Sequence, residues 1–195
     1  VAVLSAKHYA LYGAPDVHER LALVAEIQAL RTVARPQHRW LRDYLELGDM
    51  QAVEAAAAHL ERQVATSGIA SDRYYPAVWR ATGASLRGDL EEAESAADHA
   101  VDVGRAAARG PEGIAGVWAA QIFAIRLFDG RLAELREFVD FSADTTPTRP
   151  IWRAAAAFMH LELQDAEQAE AHFLQLRKAG FAQLPQSVDL PLTLA

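Results

Sequence analysis

The chain has 195 residues, 51% of them apolar, and a formal net charge of −7. It is long enough to bury a sizeable core and too apolar for disorder, and its acidic balance argues against non-specific binding to nucleic acid or anionic membrane. Cysteine is absent, so disulfides and thiolate metal sites are excluded and a reducing, cytoplasmic setting is expected.

Alanine is abundant, β-branched residues are sparse, and apolar residues recur three and four apart. That pattern predicts an all-α fold of about nine to ten helices, each roughly 12 to 20 residues long. The predicted helices fall into pairs. The first pair covers about 1–35 and breaks at Gly13-Ala14-Pro15. The second, 36–67, breaks at Gly48-Asp49, and the third, 71–109, at Gly88-Asp89. The fourth, 111–143, breaks at Gly130, and the fifth, 149–180, at Gln164-Asp165, leaving a tail at 181–195. Gly48, Gly88 and Gly130 suit a left-handed residue after a helix C-terminus. Asp49, Asp89 and Asp165 can cap the helix that follows. Pro111 and Pro150 sit where first-turn prolines are tolerated. No apolar run approaches the roughly 18 residues of a membrane span. The first residue is Val, and the last residues, LPLTLA, are apolar with no stop signal. Together they suggest one helical domain cut from a longer protein.

The turns at Gly48, Gly88, Gly130 and Gln164 lie 40, 42 and 34 residues apart. Each is followed at two, five and nine positions by apolar or small residues. Val53, Ala93, Leu135 and Ala169 hold the fifth position, and Ala57, Ala97, Val139 and Phe173 the ninth. A helix pair repeating at that interval is the signature of an α-solenoid.

These features resemble the tetratricopeptide repeat. Ala81, Gly88, Asp89, Ala93 and Ala100 match its small residues and turn, and Ala157, Asp165, Ala169 and Phe173 match it in the last unit. Gln164 replaces the turn glycine, Val53 and Leu135 stand where alanine is expected, and the period is long. Across the whole chain, a second likeness runs through ERLALVAEIQAL (19–30), YLELGDMQAVEA (44–55), AVWRATGASLRGDLEEAE (77–94), AAQIFAIRLFDGRLAEL (119–135) and GFAQLP (180–185). These segments resemble the helical-repeat C-terminal region of large actinobacterial-type regulators, in which a signal-transduction ATPase is joined to such repeats and to a cyclase-like or LuxR-type domain. The resemblance implies a sensory or partner-binding arm with no catalytic residue of its own.

The residues themselves offer little chemistry. There is no phosphate-binding loop, nucleophile elbow or His-Glu-x-x-His pair. The glycines of GPEGIAG, Gly110, Gly113 and Gly116, are expected in an inter-helix turn. Of the seven histidines, His160 and His172 fall on the two helices of one pair. With Glu162 or Glu170 they have ligand-type side chains, but an ordinary surface or packing role is the expectation. Glu91, Glu94, Asp98 and Asp102 fall on one helix face and are expected to be solvated. Arg31, Arg35, Arg39 and Arg42 form the one basic cluster. They are suited either to an anionic partner or to pairing with Glu26, Asp43 and Glu46. Tyr74, Tyr75 and Trp79, with Trp118, Gln121, Phe123 and Arg126, belong to first helices of pairs. In the repeat resemblance such helices line the concave surface, although inter-repeat core is the competing place for these aromatics. Trp40 and Trp152 lean further toward core.

The expected function is a non-catalytic binding module. Its groove candidates are Arg39, Arg42, Tyr75, Trp79 and Gln121, and no catalytic residue, metal or cofactor is expected. Its partner would be a protein segment, another domain of the same polypeptide or a small effector, with no direct contact to nucleic acid or membrane. Two other readings stand beside it: an enzymatic or small-molecule site in the groove, and a structural self-association module.

Overall fold

A computed structural model describes residues 2–11, 16–30, 38 and 40–180. Among these residues the protein is all-helical, with no strand, as the periodicity predicts. Ten α-helices follow one another: α1 (Ala2–Ala10), α2 (Val17–Ala29), α3 (Trp40–Glu46), α4 (Met50–Ser67), α5 (Tyr74–Arg87), α6 (Leu90–Ala106), α7 (Pro111–Phe128), α8 (Arg136–Thr145), α9 (Pro150–Glu162) and α10 (Ala166–Ala179). Among the described residues no helix is long and apolar enough to cross a membrane. The breaks at Gly13-Ala14-Pro15 and Arg35-Pro36 and the tail 181–195 lie outside the described residues. The chain divides into two compact units, Val1–Ile125 and Arg126–Ala195.

One turn geometry recurs. At Gly48, Gly88, Gly130 and Gln164 the backbone is left-handed, with φ of 69°, 79°, 71° and 62°. The N–H of each donates to the carbonyl three residues back, on Leu45, Ser85, Leu127 and Leu161. The next N–H, on Asp49, Asp89, Arg131 and Asp165, donates five residues back, to Tyr44, Ala84, Arg126 and His160. This pair of bonds is a Schellman motif, which satisfies carbonyls the helix end leaves open. In three of the four turns the next residue is an aspartate that begins the following helix. Asp49, Asp89 and Asp165 accept from the backbone N–H of Ala52, Glu92 and Gln168 at 3.0, 3.1 and 3.4 Å.

The third turn differs. Arg131 stands where the others have Asp, and its side chain caps nothing. The chain then makes a 3-10 segment, Leu132–Leu135, before α8 starts at Arg136. Without a side-chain acceptor for the first free N–H groups, the tighter turn takes them up.

A fifth Schellman motif was not expected. It closes α6: Ala108 has φ 52° and donates to Arg105, and Arg109 donates to Gly104. Gly113 and Gly116, expected in the turn, lie inside α7, because Pro111 starts the helix directly after Gly110.

In the first unit, α1 packs on α2, α2 on α3, α3 on α4, α4 on α5, and α5 on α6. Val24, Ile27, Trp40, Leu41, Val53 and Leu60 form a buried cluster there. The α5–α6 hairpin is closed by small residues: Ala77, Ala81 and Ala84 on one helix, and Ala93, Ala96, Ala97 and Ala100 on the other, are all buried. In the second unit, α8 packs on α9 and α9 on α10. The fifth-position residues Val53, Ala93, Leu135 and Ala169 are buried in all four turns. At the ninth position Ala97 and Val139 are buried and Ala57 half-buried, but Phe173 is 47% exposed; among the described residues of α10, Ala169, His172 and Leu176 are buried. These follow each other at three and four residues, one helical stripe with a histidine in it.

A buried ion network ties α1, α2 and α3. Arg20 and Asp43, with side chains 1% and 0% exposed, are joined Nε to Oδ1 at 2.8 Å. Asp43 Oδ2 lies 2.6 Å from His8 Nε2, and Arg20 also pairs with Glu46 and donates to the Leu11 carbonyl. Burial opposes the charge on Arg20, but the hydrogen bond it donates to Asp43 and the charges of Glu46 and Asp43 outweigh it and hold its pKa above the ordinary value. Asp43→Ala leaves the buried guanidinium without its main partner and should cost about 3–5 kcal/mol. Removing Glu19 from the exposed Lys7–Glu19 pair should cost no more than about 1 kcal/mol by urea denaturation. Similar losses from both variants would contradict the network's role.

Among the described residues, Ala108 and Gln164 are the non-glycine residues at positive φ. A left-handed residue with a Cβ costs about 1–2 kcal/mol, partly offset by the entropy glycine adds to the unfolded chain. Gln164→Gly and Ala108→Gly should each stabilise the protein by about 0.5–1 kcal/mol. A fall in melting temperature in both would refute the left-handed assignment.

Candidate functional site

The predicted groove residues of the first unit come to different places. Tyr74 and Tyr75 open α5, the first buried and the second half-buried, with their rings edge to face at 5.3 Å. Arg109, carried past the end of α6 by the Ala108 turn, lies over both rings, at 4.5 Å from the centroid of Tyr74 and 4.8 Å from that of Tyr75. Its Nη2 donates to Tyr75 Oη at 2.9 Å, and the His38 ring stacks on that of Tyr75 with centroids 3.3 Å apart. Burial pushes the Tyr74 phenol up from its ordinary pKa. This is a cation–π arrangement of two tyrosines, an arginine and a histidine.

Gly104 lets Tyr74 sit so close. A Cβ added there would lie 3.0 Å from Tyr74 Cδ2 and from Ile114 Cδ1. Trp79, one turn further along α5, is half-buried and packs with Tyr75 against the Val24–Leu60 cluster. Gln121 points inward from α7: its Nε2 donates to the Val78 carbonyl at 2.8 Å and to Thr82 Oγ1 at 3.1 Å, tying α7 to α5. Its Oε1 is buried without a hydrogen-bond partner among the described residues.

Arg42 is partly exposed, and its Nε lies 3.3 Å from Glu46 Oε1 on the same helix. Glu46 was one of the intramolecular partners expected for the basic cluster. Arg31, Arg35 and Arg39 lie outside the described residues. Trp40 is buried, as its sequence context suggests, and Trp152 is half-buried, edge-on to Phe138 at 5.6 Å. Glu91, Asp98 and Asp102 are exposed and Glu94 is half-buried, and Asp98 accepts from Trp118 Nε1 at 2.8 Å.

The second unit holds a constellation that sequence reasoning only half found. His160 on α9 and His172 on α10 do meet, with rings near parallel and centroids 5.6 Å apart. The carboxylate between them is Asp140 of α8. Glu162 and Glu170, the partners suggested by the sequence, are both exposed. Asp140 Oδ1 lies 2.9 Å from His160 Nε2 and 3.8 Å from His172 Nε2. His160 Nδ1 lies 3.4 Å from Asp165 Oδ2, close enough for charge attraction but not aligned as a hydrogen bond. Asp165 also receives Arg136 Nη1 at 3.0 Å, and that bond, first among several causes, holds its carboxyl below the ordinary range. Burial, chiefly, pushes His172 below its ordinary pKa, with the nearby His160 and Arg153 acting the same way and Asp140 opposing.

No protein-family model, curated protein or solved structure matches the chain.

Trp79→Ala removes a large side chain from the edge of a packed cluster. It should lower stability by about 2–3 kcal/mol, less than the loss for a fully buried aromatic. An unchanged urea midpoint would place Trp79 outside the core and leave it free for a partner.

Proposed function

We propose that the chain is a non-catalytic helical-repeat binding module. In this reading its hairpins stack as a solenoid of tetratricopeptide-like repeats. It serves as the sensory or protein-interaction arm of a multidomain cytoplasmic signalling ATPase or transcriptional regulator, as its resemblance to actinobacterial-type regulators implies. The observation that carries the proposal is the recurring hairpin: a left-handed Schellman residue followed at once by a capping aspartate, at Gly48-Asp49, Gly88-Asp89 and Gln164-Asp165. A hairpin of two helices buries only part of its apolar surface, so neighbours must cover the rest. Such an array offers an extended surface to a protein segment, another domain of the polypeptide or a small effector.

The residues available for recognition are the half-buried edges of Tyr75 and Trp79, with Arg109 and the partly exposed Arg42 near the charged network. Tyrosine, tryptophan and arginine are the side chains that most often anchor interfaces. Gln121 supports this face from behind, since its amide is engaged with α5.

The reading is tested on the polypeptide that contains this chain. Its reading frame should encode an ATPase domain. Adding that domain to the chain should slow amide hydrogen exchange in α5 and α7 severalfold. A reading frame without such a domain, or unchanged exchange throughout, would refute the assignment.

A further inference from the structure

We propose that Asp140, His160 and His172 form a binding site for a divalent transition-metal ion of the zinc class, with a remaining position open to water. The three residues come from three successive helices, α8, α9 and α10. One ligand atom from each lies within 4.8 Å of the others. A tetrahedral zinc ion, with bonds of about 2.0–2.2 Å, sets its ligand atoms roughly 3.3 Å apart. The three atoms therefore need to close by at most about 1.5 Å, a matter of side-chain rotation. Two imidazoles and one carboxylate are a donor set that suits borderline first-row ions and not the hard cations, which prefer all-oxygen sites.

Two observations set this group apart from a simple ion pair. The first is His172. Its side chain is only 10% exposed, its Nδ1 is buried without a hydrogen-bond partner among the described residues, and its Nε2 stops 3.8 Å short of Asp140. A buried imidazole with so little hydrogen bonding is costly if packing were its only role, because an apolar residue would fill the space better. As a ligand, its position has a reason.

The second is the surroundings of His160. With Nε2 turned to Asp140, its Nδ1 faces the Asp165 carboxylate, which Arg136 and the α10 backbone hold in place. A carboxylate that accepts from the outer nitrogen of a ligating histidine fixes its tautomer and raises its basicity, and at 3.4 Å a small rotation of the ring on metal binding would make that bond. The hairpin turn itself supplies this carboxylate, because Asp165 is its capping residue. Asp140 is 36% exposed, so solvent reaches the cluster from the α8 side and an ion has a route in.

The opposing charges are few. Arg136 is engaged with Asp165, and Arg153 is the cation acting on His172, where Asp144 opposes it.

The test uses the full 195-residue chain, stripped with chelator and titrated with Co²⁺ and Zn²⁺. One cobalt per chain should bind with visible ligand-field bands, and zinc should displace it. Asp140→Asn and His172→Gln should each weaken zinc binding at least about tenfold, and Asp165→Asn, which keeps the helix cap, by about tenfold. A variant lacking the exposed His59 and His99 should bind as the parent does. Thermal melts without metal report whether each variant folds. Should His172→Gln unfold, Asp140→Asn decides alone, since its side chain is partly exposed. No zinc retained at micromolar concentration, equal competition by Mg²⁺, or full affinity in folded Asp140→Asn would overturn the proposal.

Discussion

The hairpins of this protein depend on how a helix end is satisfied. An α-helix leaves four carbonyls open at its C-terminus and four N–H groups at its N-terminus. At Gly48-Asp49, Gly88-Asp89 and Gln164-Asp165 two adjacent residues serve both ends. The left-handed residue lets the chain fold back onto its own carbonyls, and the aspartate takes up the first N–H groups of the next helix. The reversal is complete within three residues, so the two helices lie side by side and must bury their apolar stripes together. In the α5–α6 hairpin those stripes are nearly all alanine, and the helices close on small residues.

The same turn places chemistry. In the last hairpin, Asp165 caps α10 and at the same time faces His160 and Arg136. The inward stripe of α10 carries His172 where an apolar residue is usual, while Phe173 faces out. Asp140 then reaches both histidines from α8. In the first unit, the Ala108 turn carries Arg109 over Tyr74 and Tyr75 in a comparable way. Recognition and metal binding, as proposed, would each draw on a residue set by a helix end, Arg109 in the first unit and Asp165 in the second.

Much of this was legible from local signals. The glycines at 48, 88 and 130, the aspartates at 49, 89 and 165, and the prolines at 111 and 150 act where their chemistry says they should. Gln164 kept the turn position although it lacks glycine's freedom, because the flanking pattern and Asp165 hold it there. Ala108 gave no such signal: alanine in the left-handed region has no local reason, and packing decides it. Arg20 could have been found. It precedes Leu23, Val24 and Ile27 by three, four and seven residues, on the buried face of α2, where a charge demands a partner. Asp140 could not, since its place beside His160 and His172 depends on how α8 packs against α9, twenty residues away in the chain. The groove candidates were chosen by residue type. The fold puts Trp79 and Tyr75 against the core cluster and spends the Gln121 amide on α5, which type alone does not reveal.

The turn at Gly130 offers the most direct test, because it has the left-handed glycine but not the capping side chain, and its α-helix starts late. Arg131→Asn restores an acceptor at that position, worth about 1 kcal/mol in a typical helix. Backbone chemical shifts should then show α-helix beginning at Leu132, and the urea midpoint should rise. Persistence of the 3-10 segment in a folded, asparagine-bearing chain would mean that something other than the cap sets where these helices begin.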